Sequence, residues 1–295
     1  MDTMRKAIVR QFLSLAVVGL AIMPVTAGAE VLADFTINPA ALGDDPFCGV
    51  LENQACVADQ LSGTYSEVFT VTSITGPGSG TFATEAYWDL QGYARNDATA
   101  PLVASGLNES ELTGGYAIYS LFSATGFFTP NGTGGFDFYA TGGTLSLWAD
   151  VNQDGGTKVL PGSAPGAVAV SGGGDQLLAS GTLVPIVSQG HSNAAQPDDG
   201  DFDLTINPFT LTALGLQYFV SPVPFYSQIK VDGVFRDFNL AILSQLGSAV
   251  VGGTAEGVFQ QVVVPEPATL TLLGVGLLGA RLARRRKQAK DAPAV

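Results

Sequence analysis

The sequence predicts an all-β body, folded as an antiparallel sandwich or barrel, with an N-terminal signal helix before it and a short C-terminal membrane helix after it. Three observations carry that expectation. Apolar residues in the middle of the chain recur with period two, in short runs that end at Gly, Asn, Asp or Pro, as strands joined by tight turns do. The chain holds 37 Gly and 16 Pro in 295 residues, which supplies such turns and disfavours long helices. Its 13 Lys and Arg are also segregated, with only Arg95, Lys158, Lys230 and Arg236 inside residues 30–264. The two ends therefore differ chemically from the body between them.

Residues 1–29 read as a signal peptide. Arg5, Lys6 and Arg10 precede an uncharged apolar run over 12–25, and Ala27-Gly28-Ala29 then supplies a small-x-small site with cleavage expected after Ala29. Pro24, at the end of the apolar run, argues against the alternative of a buried helix. Such a segment engages the secretion machinery and delivers the body to an oxidising compartment. There Cys48 and Cys56, the only cysteines, are expected to close a disulfide across a Gly, Pro and Asp-rich loop. Two free thiols or half of a metal site are the alternatives. The single histidine, His191, leaves a zinc cluster short of ligands.

The body, residues 30–264, is long enough for one large β domain or two smaller ones. Strand-like runs fall at 65–74, 81–90, 115–122, 136–139, 144–149, 176–187, 202–212, 226–231 and 258–264. The first sets Phe69 and Val71 on one face and Val68 and Thr70 on the other, and stops at Gly76-Pro77-Gly78. Helical spacing of Phe238, Ala241, Ile242 and Leu246 predicts a short helix over 236–246. The body carries 4 basic against 23 acidic residues, a formal charge of −19. That charge repels phosphate backbones and excludes nucleic acid as a partner.

The sharpest chemical pattern in the body is Asp150-Val151-Asn152-Gln153-Asp154-Gly155. Oxygens from Asp150, Asn152 and Asp154 can face one calcium ion while Gly155 permits the turn. The pattern then fails, with Pro161 where a bidentate Glu is required, so the preferred reading is a tight turn leading to a return strand at 157–160, with calcium as the alternative. The run Asp198-Asp199-Gly200-Asp201 with Asp203 reads as a solvated loop, and His191 lies on a Gly, Ser and Asn-rich loop. Asn108-Glu109-Ser110 and Asn131-Gly132-Thr133 match a glycan-acceptor pattern that short chance matches also produce. Tyr87, Trp88 and Trp148 offer either sugar-stacking surfaces or core. Nucleophile elbows, phosphate loops and dinucleotide fingerprints are absent from the sequence. The expectation is a protein without catalytic residues; a secreted polysaccharide-active hydrolase using paired carboxylates is the alternative.

After the body comes Pro265-Glu266-Pro267, then an apolar Leu and Gly-rich stretch over 268–280, then Arg281, Arg284, Arg285, Arg286 and Lys287. As a helix the stretch is about 20 Å long against a hydrocarbon core of about 30 Å. The basic cluster stops transfer and leaves residues 288–295 cytoplasmic, with the body outside. This order resembles the sorting signal of PEP-CTERM proteins, over residues 265–287. The resemblance implies export, transient inner-membrane anchoring and cleavage near Pro265, Glu266 and Pro267 by an exosortase-type membrane peptidase, with release to the outer surface or extracellular matrix.

Four stretches of the body carry a second resemblance: Gly63-Thr64-Tyr65-Ser66-Glu67-Val68-Phe69, Ala86-Tyr87-Trp88, Tyr119-Ser120-Leu121-Phe122 and Leu145-Ser146-Leu147-Trp148-Ala149-Asp150-Val151-Asn152-Gln153. They are similar to flocculation-associated PEP-CTERM proteins over most of residues 31–264. What this implies is a role in holding cells together within extracellular polysaccharide.

Overall fold

The computed structural model describes residues 32–43, 56–102, 107, 115–152, 157–159, 169–171, 174–193, 196–236, 238 and 240–261. Its strands in chain order are β1 (Phe35–Ile37), β2 (Cys56–Ala58), β3 (Gln60–Gly76), β4 (Ser79–Arg95), β5 (Ala100–Pro101), β6 (Ala117–Pro130), β7 (Phe136–Asp150), β8 (Thr157–Val159), β9 (Ala169–Ser171), β10 (Gln176–Leu183), β11 (Gln189–Asn193), β12 (Gln196–Leu211), β13 (Phe219–Ser221), β14 (Gln228–Arg236) and β15 (Gly247–Gln260). One short helix, α1 (Ala213–Tyr218), and 3-10 turns at Pro39–Leu42 and Leu240–Ser244 complete the described elements.

Turn chemistry sets the connections. Pro77-Gly78 joins β3 to β4, with Gly76 opposite Ser79, and Gly78 takes φ +67, a backbone state that a side chain would strain. At the next hairpin but one, Asn131 organises the link from β6 to β7. Its Oδ1 accepts from Thr133 N at 3.1 Å, Thr133 Oγ1 at 2.7 Å and Gly135 N at 2.9 Å, while its Nδ2 donates to the Ser192 carbonyl at 3.0 Å. The Asn131 amide is thus committed to a turn.

The pairings close on themselves. β3 pairs with β4, β4 with β6 and β6 with β7, all antiparallel. β7 then pairs with β11 through residues 137–139 and with β10 through residues 144–149, and both of these pair with β12. β12 pairs with β14, β14 with β15, and β15 returns to β3. Counting β10 and β11 as one stave in two pieces, this is an eight-stave, up-and-down antiparallel barrel. Closure leaves the ring without an unpaired edge, and an eight-stave barrel has room for packed side chains or one small ligand. Of the two architectures expected, the barrel is the one formed.

Inward residues fill the barrel from one end. Leu61, Leu90, Ile118, Leu178, Ile206 and Phe259 are all at most 1% exposed and form a solid floor. Below it the small sheet β13-β1-β2 caps that end. Phe35 of β1 meets Phe259 at 4.9 Å between ring centroids, Phe219 at 6.0 Å and Tyr93 at 6.2 Å. At the other end Phe238 packs edge-on against Phe69, Phe138 and Phe235, and Ile242 and Leu243 of the following 3-10 turn are buried.

Beside the floor, α1 brings Tyr218 between two other buried tyrosines. Its hydroxyl lies 2.7 Å from that of Tyr93 and 2.6 Å from that of Tyr116. Removing it takes one hydrogen-bond partner from each of two interior hydroxyls, Tyr93 and Tyr116. Tyr218→Phe is therefore expected to lower unfolding free energy by about 1–3 kcal/mol, read from urea midpoints; an unchanged midpoint would show that the hydroxyls are satisfied some other way.

The structure corrects several sequence expectations. The runs at 136–139 and 144–149 are one strand, β7, because Gly142-Gly143 faces the register shift after Thr125 in β6 and bends the strand without ending it. Within the run at 236–246, Arg236 ends β14 and the helical element among the described residues is the 3-10 turn Leu240–Ser244. The acidic segment from 198 to 203 is part of β12 and no loop, held by pairing with β11 and β14. β8 pairs with β9 and does not return along β7. Cys56, opening β2, is buried. The signal helix, the C-terminal membrane helix and Cys48 lie outside the described residues. Among the described residues no helix is long and apolar enough to cross a membrane.

Candidate functional site

Between floor and roof the barrel keeps a cavity of about 120 Å³. It exists because four staves carry alanine where their neighbours carry rings: Ala86 on β4, Ala124 on β6, Ala140 on β7 and Ala255 on β15 line it. Phe69, Phe82, Phe122, Phe138, Phe202 and Phe235 supply most of the remaining wall. Ser188, Gln189 and Gly190 line it where the composite stave is interrupted.

One row of the wall is polar. Tyr65, Trp88 and Ser120 stand opposite one another on β3, β4 and β6, and they are 8%, 4% and 1% exposed. Tyr65 OH, Trp88 Nε1 and Ser120 Oγ are buried with no hydrogen-bond partner. Gly63 gives the indole room, since a Cβ there would lie 2.8 Å from Trp88 Nε1 and 2.0 Å from the Asp89 carbonyl oxygen. Burial, with Glu67 nearby, pushes the Tyr65 hydroxyl far above its ordinary pKa.

Glu67 sits one inward step along β3 from Tyr65 and also lines the cavity. Burial raises its carboxyl above the usual carboxylate range, and the hydrogen bond with Thr84 only partly opposes this. The Thr84 hydroxyl lies between Glu67 Oε1 and the Val68 carbonyl, the latter at 3.1 Å. A hydroxyl has one proton to give. If Thr84 donates to Val68, a protonated Glu67 donates to Thr84, and the chain is satisfied throughout.

The outer face carries different chemistry. Tyr87 and Tyr119 stack at 5.4 Å between centroids, and Tyr119 OH donates to Asp175 Oδ2 at 2.8 Å. Burial, then neighbouring carboxylates, push both hydroxyls well above their ordinary range. Trp148 is half-buried, with Nε1 donating to Ser146 Oγ at 3.0 Å. Of the three aromatics considered for sugar stacking, Trp88 is interior, Tyr87 is covered and Trp148 is half-open. His191 pairs with Asp137 at 2.9 Å, and that bond holds the Asp137 carboxyl below the usual range.

The calcium pattern is only partly in view. Asp150 ends β7 at 9% exposure and Asn152 follows it exposed, while Asp154 lies outside the described residues. Among the described residues no group of three or more His, Cys, Asp or Glu side chains is placed to hold a metal. Ala27 and Ala29 of the cleavage site, Pro265, Glu266 and Pro267, and the basic residues Arg281, Arg284, Arg285, Arg286 and Lys287 also fall outside. Sequence reasoning missed Glu67 and Ser120 as site residues. Period-two parity places Glu67 on the face of Tyr65 and Phe69, a charged residue on an apolar face, and that was the signal available.

Comparison with known proteins adds the other end of the chain. No curated protein and no solved structure matches it. Residues 263–287 match the PEP-CTERM protein-sorting motif, which implies an exported protein sorted through the membrane with an exosortase-type processing partner. The chain thus carries a PEP-CTERM protein-sorting motif at residues 263–287.

Proposed function

We propose that the barrel works outside the cell, on the outer surface or in the matrix, in flocculation or exopolysaccharide-associated aggregation. The sorting motif at 263–287 carries this reading, because it commits the body to an export route. The outer wall supports it. Thr70 and Ser248 pair at 2.8 Å, Thr72 and Thr81 at 2.7 Å, and Ser123 and Thr144 at 3.0 Å, making an outward hydroxyl surface suited to polysaccharide. With a body charge of −19, divalent cations bridge its carboxylates to anionic polymers.

In this reading the body binds and does not catalyse. Hydrolysis through paired carboxylates needs two acids flanking the bond, and Glu67 is the one carboxyl among the cavity-lining residues.

Deleting the gene is expected to abolish or strongly reduce flocculation, with restoration by the full chain but not by a chain lacking residues 263–287. Normal flocs in the deletion strain would refute the reading. Mass spectrometry of the surface protein is expected to show Glu30 at the N-terminus, a Cys48–Cys56 bridge and loss of the residues after Pro267. An intact Lys290 would overturn the sorting step.

A further inference from the structure

We propose that the barrel interior is a binding site for a small, neutral, ring-sized molecule carrying one oxygen acceptor, a carbonyl or hydroxyl, held on the row Tyr65, Trp88 and Ser120. The first support is the set of unanswered polar atoms. Three side chains from three adjacent staves stand in register and at least nine-tenths buried, and each presents a polar atom without a partner. Buried polar groups are almost always hydrogen-bonded in folded proteins. A row of three on one cavity wall is a recognition surface awaiting its complement.

Donor chemistry selects the complement. The Trp88 indole N–H can only donate, so the missing partner must accept. The hydroxyls of Tyr65 and Ser120 can donate to the same oxygen or to its second lone pair. Glu67 stands one inward step away, where a permanent anion on the ligand would meet the carboxyl oxygens, and a cation would leave the Trp88 donor unanswered. A neutral oxygen answers the Trp88 donor without either penalty.

Size and wall chemistry select the rest. One buried water needs about 10–15 Å³, and a dry apolar cavity of about 150 Å³ in another protein takes up benzene. The 120 Å³ here is therefore much more than one bridging water requires and close to what a single ring fills. Phenylalanine rings face the polar row from the other staves. Water filling that side would lie against aromatic carbon, while a six-membered ring would pack on it.

The test compares acetophenone with ethylbenzene, which has the same carbon skeleton without the oxygen, by titration calorimetry on the full chain. Acetophenone is expected to bind one to one and at least tenfold more tightly than ethylbenzene. Tyr65→Phe combined with Ser120→Ala should narrow that gap at least threefold, and Ala124→Leu, which fills the space, should abolish binding of both. Should Ala124→Leu fail to fold, the near-isosteric pair still decides the matter. Equal affinity for the two compounds, a gap unchanged by removing both hydroxyls, or no saturable heat from either with the barrel intact by circular dichroism would each overturn the proposal.

Discussion

Phe259→Ala is expected to lower the unfolding free energy by about 3–5 kcal/mol, the largest loss for any single truncation considered. Phe259 is fully buried on β15, and its ring joins the barrel floor to the cap. It meets Phe35 and Phe225 at 4.9 Å, and Phe209 and Phe219 at 5.5 Å. These partners come from four separate segments, so no one of them can collapse into the vacated space without breaking its own packing. The urea midpoint should fall at unchanged slope. Hydrogen exchange adds a readout that a generic core defect would not give: β1 and β13 should lose protection before β3 and β4 do. A midpoint shift below about 1 kcal/mol would mean that the cap is not part of the cooperative unit.

Closure of the barrel was not legible in the sequence, although its strands were. Alternation at 65–74 or 226–231 tells which face of a strand is inward, and a sandwich and a barrel demand the same alternation. What separates them is long-range pairing, such as Leu61 with Gly257 or Leu204 with Val231, and nothing local encodes that. Gly142-Gly143 misled for a related reason. Glycine reads as a stop, yet within a barrel it marks the place where a strand must bend. The acidic start of β12 misled in the opposite direction: Asp and Gly disfavour strands, but partners on both sides override that preference.

The sorting motif was legible because it is a linear order of residues and needs no fold to be read. The cavity lay at the other extreme. Ala86, Ala124 and Ala140 are unremarkable letters in sequence, and only their convergence at one level of a closed ring makes a hole. Glu67 stood between these cases. Its inward parity was readable, but whether the position was solvated depended on closure.

Replacing that same residue by its uncharged isostere is expected to stabilise the protein, and by more as pH rises. Burial raises the Glu67 carboxyl above the ordinary range, so the folded state holds this proton more tightly than the unfolded chain, whose Glu groups titrate near about 4.3. Below that pH both states are protonated and Glu67→Gln should be nearly neutral. Above it the unfolded chain loses its proton first, so wild-type stability falls by up to about 1.4 kcal/mol per pH unit until the folded carboxyl also ionises. Gln keeps the volume, and its carboxamide can accept from Thr84 Oγ1 or donate to it, so the variant escapes that loss without opening a cavity. The body's charge of −19 makes wild-type stability pH-dependent for other reasons as well. The difference between wild type and variant cancels most of them. Urea unfolding of both proteins at half-unit steps from pH 4 to 8 should give curves that coincide at the acid end and diverge upward for Gln. Parallel curves would mean that Glu67 ionises as freely inside the barrel as outside it.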